Sequence, residues 1–99
     1  MNVLQQLLGQ KVLESEDSDG IYGLTLTDAV IAFYNPVIGA QPNECIGSVV
    51  SSVEVVEKDR MSIVFSNGLS LNVSLKDADY SGPEAFSVRF SDGTIIVQQ

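Results

Sequence analysis

Ser62-Ile63-Val64-Phe65-Ser66-Asn67-Gly68, followed by Leu69-Ser70-Leu71-Asn72-Val73, and Ser87-Val88-Arg89-Phe90-Ser91-Asp92-Gly93, followed by Thr94-Ile95-Ile96-Val97, are two copies of one pattern. Each sets Asn-Gly or Asp-Gly between two apolar-rich runs, the strongest short-range signal of a β-hairpin. The expectation at both sites is a two-residue type I′ turn, with both central residues at positive φ. Around the first turn, Met61, Ile63 and Phe65 alternate with Ser62, Val64 and Ser66. Beyond it Leu69, Leu71, Val73 and Leu75 share a face opposed by Ser70, Asn72 and Ser74. Around the second, Phe86, Val88 and Phe90 alternate with Ser87, Arg89 and Ser91. A period of two with one polar side predicts antiparallel strands that cover a core on one face. The closing run Thr94 to Val97 is apolar on both faces, which predicts a central strand or one covered by another element or subunit.

A longer repeat lies upstream. Leu8-Gly9-Gln10-Lys11-Val12 resembles Ile46-Gly47-Ser48-Val49-Val50, 38 residues on. Each follows a stretch able to form a helical turn and precedes a strand, an acidic loop and a hairpin-like pair. In the first unit that pair is Tyr22 to Thr27 and Val30 to Tyr34; in the second it is the hairpin through Asn67-Gly68. Two related three-stranded units and one extra hairpin give about eight strands. The fold expected is all-β and mostly antiparallel, a compact barrel or two-layer sandwich, with a short N-terminal helix. Asn2 would cap that helix, Val3, Leu4, Leu7 and Leu8 would form its apolar side, and Gly9 would end it. Asn35-Pro36 ends the preceding strand, so residues 36 to 45 are expected as a loop or helical turn. The alternative is α+β, with a true helix at the N-terminus or over residues 36 to 47.

Ninety-nine residues and a 44% apolar composition suit one globular domain over residues 1 to 99. The longest apolar stretch, Ala29 to Tyr34, is far short of the ~20 residues that span a bilayer. Met1-Asn2-Val3-Leu4-Gln5-Gln6 lacks the cationic start of a secretory signal. Cys45 is the single cysteine, so no internal disulfide forms, which fits the cytoplasm. The formal charge is −8. Residues 1 to 57 hold one cation, Lys11, and eight acids (−7), whereas residues 58 to 99 hold four cations and five acids (−1). Such a field repels nucleic acid and anionic membrane and attracts a basic protein.

Histidine is absent, which removes the usual general base and the commonest metal ligand. No cofactor is implied. Cys45 has Glu44 beside it and no nearby cation, the setting of a buried small hydrophobe rather than a nucleophile. In Glu14 to Gly20, Ser15, Asp17, Asp19 and Gly20 fall at positions one, three, five and six of a calcium loop. Position twelve is then Leu26, where a bidentate Glu is required, so a solvated turn is expected. The segment Lys76 to Ala85 joins the two marked hairpins and carries Asp77, Asp79, Tyr80 and Glu84 beside Gly82-Pro83. An aromatic among acids suits the anchoring of a basic partner. The same residues suit a polar connection, with an Asx turn at Asp77 or Asp79 and Tyr80 over the core edge. Asp77, Asp79, Tyr80 and Glu84, together with Glu16, Asp17 and Asp19, are the candidate partner-binding residues. Arg89 is expected to pair with an acid across the sheet.

The Gly-x-x-Val strand openings, Phe65-Ser66-Asn67-Gly68-Leu69-Ser70-Leu71 and Asp79-Tyr80-Ser81-Gly82-Pro83-Glu84-Ala85 resemble small uncharacterised bacterial β-rich proteins, some of them immunity-type. That resemblance implies a cytosolic protein that neutralises a toxin by binding it; it carries over no functional residues. Three functions follow: a non-catalytic acidic interaction module for a basic protein, a structural subunit or homodimer, and a small carboxylate-dependent enzyme acting through residues 77 to 84.

Overall fold

The computed structural model describes residues 3–99. Nine strands follow in chain order: β1 (Val12–Ser18), β2 (Ile21–Leu26), β3 (Ala29–Phe33), β4 (Val37–Gly39), β5 (Val50–Val56), β6 (Arg60–Phe65), β7 (Ser70–Ser74), β8 (Phe86–Phe90) and β9 (Ile95–Gln98). They form a five-stranded sheet, β1-β2-β3-β8-β9, and a four-stranded sheet, β4-β7-β6-β5, antiparallel throughout. The two sheets make an open sandwich rather than a closed barrel, over one apolar core that draws Leu24, Ile31, Phe33, Phe86 and Val88 from one sheet and Met61, Ile63, Phe65, Leu71 and Val73 from the other. These are the inward positions of the period-two pattern, and all ten are almost fully buried.

The three helical segments, Val3–Leu7, Pro42–Cys45 and Asp77–Asp79, are all 3-10 turns. The α+β alternative therefore has no helix to rest on among the described residues. The expected cap at Asn2 lies outside them. Leu4 and Leu7 point into the core, while Val3 and Leu8 are exposed, so the apolar side is narrower than expected. The ninth strand, β4, arises where a loop or helical turn was expected. Its Val37–Gly39 backbone pairs with Leu71–Val73 and so satisfies the free side of β7.

The repeat is real in three dimensions. Lys11 and Val49 form an antiparallel bridge. About it, Gly9 N–H donates to Val50 O and Gly47 N–H to Val12 O, both at 2.8 Å; Val12 N–H donates to Ser48 O and Val50 N–H to Gln10 O, both at 2.9 Å. Each bond is the image of another under a shift of 38 residues, so the two units meet on a pseudo-two-fold axis. The symmetry extends outward. β1 carries a register shift between Val12 and Glu14, and β5 carries one between Val50 and Ser52. Leu7 and Cys45 are both fully buried, and Leu8 and Ile46 are both exposed. Two buried polar side chains plug the seam: Gln10 Oε1 accepts from Asp28 N–H at 2.8 Å, and Ser48 Oγ accepts from Asn67 Nδ2 at 2.8 Å. The spacing drifts beyond 38 because the second unit has longer turns between its strands.

Two turn assignments change. At Asn67-Gly68 and Asp92-Gly93 only the glycines have positive φ, at 91° and 94°. Gly68 N–H donates to Phe65 O, and Phe65 N–H to Leu69 O; Gly93 and Phe90 repeat the arrangement with Thr94. Each loop is thus a three-residue turn of type I closed by a glycine bulge, not a two-residue type I′ turn. The reason is local. The Asn67 and Asp92 side chains accept from the N–H two residues on, which holds them out of the left-handed region. The type I′ geometry belongs instead to Asp19-Gly20, at φ 52° and 81°, where Ser18 pairs directly with Ile21. Finally, β9 is not central: it pairs with β8 alone and ends its sheet.

Candidate functional site

The pseudo-symmetry also brings each 3-10 turn against the other unit's first strand: Val3–Leu7 packs on β5, and Pro42–Cys45 packs on β1. Beneath the first turn lies Val53, buried at 9% exposure beside Leu4 at 5%. The residue 38 positions before Val53 is Ser15, which is only half-buried. Where β5 offers two methyl groups, β1 offers a hydroxyl, and the space stays open. A cleft of about 380 Å³ results, lined by Ser15, Glu16, Asp17 and Tyr22 on one side and Gln41, Pro42 and Asn43 on the other.

Strand alternation arranges this lining. Ser15 pairs with Leu24 and Asp17 with Tyr22, so Ser15, Asp17 and Tyr22 share the inward side of the sheet edge. Glu16, paired with Gly23, stands at the rim. The opposite wall is held by a reciprocal cap: Gln41 N–H donates to Glu44 Oε1 at 2.8 Å, and Glu44 N–H donates to Gln41 O at 2.9 Å. Pro42 is buried beneath it. The cleft therefore has a fixed polar wall, a half-buried aromatic ring and two carboxylates at the edge strand. Glu16 and Asp17 are exposed. Such an arrangement is chemically complementary to a cationic, partly apolar side chain.

The other candidates fall elsewhere. Asp19 sits at the tip of the β1–β2 turn, where its left-handed φ of 52° serves the hairpin. Asp79 accepts a hydrogen bond from Ser74, whose hydroxyl also receives Lys76 N–H at 3.2 Å. Tyr80 packs half-buried against the core, as in the polar connection described above, but the expected Asx turn is replaced by backbone bonds, Asp79 N–H to Lys76 O at 2.9 Å and Tyr80 N–H to Asp77 O at 3.4 Å. Asp77 and Tyr80 line a second cleft of about 290 Å³ with Glu57, Lys58, Leu75, Gln98 and Gln99. Glu84 lines a third, of about 140 Å³, with Ile21, Tyr34, Ser81, Gly82 and Pro83. Neither of these clefts holds two of Asp77, Asp79 and Glu84, so the acid–base pair expected of that segment is not assembled there. Arg89 forms no ion pair among the described residues and stands between Val30 and Ile95; the cross-sheet pairing expected of it is not made.

Cys45 is fully buried, and burial, with Glu44 adding to it, pushes its thiol up to about 11. It is a neutral core side chain at neutral pH. Tyr22, Ser15 and Asn43 were missed as site residues by sequence reasoning. The one available signal was the repeat itself, which aligns Ser15 with Val53. Comparison of the chain with known protein families, with curated proteins and with solved structures finds no match. Among the described residues, no helix is long and apolar enough to cross a membrane.

Proposed function

We propose that the chain is a non-catalytic, acidic interaction module of the cytoplasm that binds a basic protein, in the manner of an immunity or inhibitor protein. The observation that carries this reading is the break in internal symmetry. One unit fills the space between its first strand and the opposing 3-10 turn with Val53; the other leaves it open and edges it with Glu16, Asp17 and Tyr22. Carboxylates on an edge strand meet a partner first and speed its approach. The half-buried ring supplies an anchoring contact at low entropic cost. An excess of seven acids over cations in residues 1 to 57 supports the same sign of partner.

The test is affinity capture from native lysate by the intact chain and by the Glu16→Gln/Asp17→Asn variant. The expected result is a basic protein held by the first and released by the second. Its retention should weaken as salt rises past about 0.1 M, where exposed charges are screened over ~10 Å. Recovery of neutral or acidic proteins only, or equal capture by the variant, overturns the reading.

A further inference from the structure

Four strands end the two sheets: β1 and β9 in one, β4 and β5 in the other. Natural sheets blunt such edges with charge, bulges or brevity, because a row of free N–H and C=O groups templates another strand. β1 carries Glu14, Glu16 and Asp17 and a register shift. β5 carries Glu54 and the equivalent shift. β4 is three residues long. β9 has neither charge nor bulge. It is short as well, at four residues, but Ile95–Gln98 contains no charge, no proline and no glycine, and its pairing with β8 is regular.

The outward faces of the two sheets differ in the same sense. On the four-stranded sheet a polar chain covers the surface: Arg60 Nε donates to Ser62 Oγ, Ser62 donates to Asn72 Oδ1, and Asn72 Nδ2 donates to Ile38 O. One aliphatic side chain, Ile38 at 59% exposure, stands on that face beside the polar chain; the five-stranded sheet instead shows three that run together, Val30 at 48%, Ile95 at 57% and Val97 at 41%. Cross-strand neighbours Val30–Arg89–Ile95 and Ala32–Ser87–Val97 make this one surface that runs to the free edge.

We propose that β9 is a dimerisation edge, and that its occupant is β9 of a second copy. Antiparallel pairing about a two-fold axis at Ile96 would join two five-stranded sheets into one of ten strands. The strand fits itself. Ile95 would stand opposite the partner's Val97, and Val97 opposite the partner's Ile95, so four exposed aliphatic side chains close into one patch. Thr94 would meet the partner's Gln98. Directly opposed aliphatic and β-branched pairs are the stabilising unit of a sheet, and a two-fold contact needs just this self-complementarity. Charge favours the same edge. The acids of β1 lie at the far side of the sheet, four strands from the seam in each copy. Two chains of charge −8 would thus meet along their uncharged strand. Arg89 of one copy would lie diagonal to the partner's Arg89 rather than opposite it. The proposal stands independently of the acidic cleft, which it would leave open at both ends of the joined sheet.

Sedimentation equilibrium of the native chain should give twice the single-chain mass, and Ile95→Lys/Val97→Lys should give the single-chain mass with an unchanged circular dichroism spectrum. Both side chains are exposed, so the core does not depend on them. Independently of any variant, amide exchange in β9 should slow as concentration rises, while β1 stays unaffected. Glu16→Gln/Asp17→Asn should leave the mass doubled, which separates this proposal from loss of the basic partner. A native chain that stays single at its highest soluble concentration overturns the proposal. So do dimers that persist unchanged in the double-lysine variant, and β9 amides that exchange freely within a dimer, as they would if a different sequence were the true occupant.

Discussion

The first three-stranded unit, β1 to β3, and the second, β5 to β7, share a backbone plan and divide the work of the molecule. At two matched positions the second unit carries the larger buried side chain: Phe65 stands where the first has Leu26, and Val53 where the first has Ser15; at two others the first does, Phe33 against Val73 and Leu7 against Cys45. β5 buries both Val50 and Val53, whereas β1 buries Val12 alone and sends Glu14, Glu16 and Asp17 to solvent. One scaffold has thus been used twice: both copies supply the core, and only the first opens a cleft edged by carboxylates. A strand can carry that charge without losing its place because the pseudo-two-fold bonds at Gly9 to Val12 and Gly47 to Val50 are made by backbone alone.

The deepest test of that division is in the core. Phe65→Ala should cost about 4 kcal/mol and Leu26→Ala about 3 kcal/mol, read from urea unfolding. A larger loss at Leu26 would show that this matched position matters more in the first unit than in the second. The Ser15 and Val53 pair sharpens the comparison at smaller scale. Val53→Ser should destabilise by about 2 kcal/mol, because it removes buried methyl groups and leaves a hydroxyl beneath Leu4. Ser15→Val should stabilise by about 1 kcal/mol and close the acidic cleft, abolishing capture of a basic partner. Effects of the same sign at both positions would break the proposed correspondence.

Cys45, unlike its counterpart Leu7, carries a titratable proton. The folded thiol is raised to about 11 from its ordinary 9.0, so the folded state favours the protonated form. Its contribution to stability is intact below about pH 9 and is lost as pH rises through about 11. Native Cys45 should resist iodoacetamide at pH 8 and react at the rate of global unfolding; rapid alkylation would show that the site opens locally. The smallest effect distinguishes the two glycine-bulge turns. The Thr94 backbone N–H, with its side chain adding to it, lowers the Asp92 carboxyl below the usual range. A lowered carboxylate stabilises above its unfolded value and loses that contribution as pH falls through the folded one. Acid titration of stability should therefore weaken slightly in Asp92→Asn, which makes the turn resemble that at Asn67. An unchanged profile would show that the exposed bond contributes nothing measurable.

Most strands were legible because they are half-buried: one face meets the core, the other meets water, and the period of two is written directly in the residues. Met61, Ile63, Phe65, Leu71, Val73, Phe86, Val88 and Phe90 all follow it to the interior. β4 was illegible because Val37–Gly39 is too short to show a period and exists through its bonds to β7. β9 was ambiguous for the opposite reason, since an apolar run on both faces describes a central strand and an edge open to another chain equally well. The acidic candidates were visible as composition, but their meaning was not. Glu16 and Asp17 border a cleft, Asp79 is tied to Ser74, and Glu84 lies in a different cleft, separations that depend on how distant segments fold back.

By itself, the amino-acid order determined an all-β chain, its hairpins, its inward side chains and a weak internal duplication, because each of these is set by neighbours a few residues apart. Only the tertiary structure decided which strands became edges, that the duplicated units meet about a two-fold axis, and that Ser15 leaves open what Val53 fills. Those outcomes rest on contacts between segments about 38 residues apart, and no local period records them.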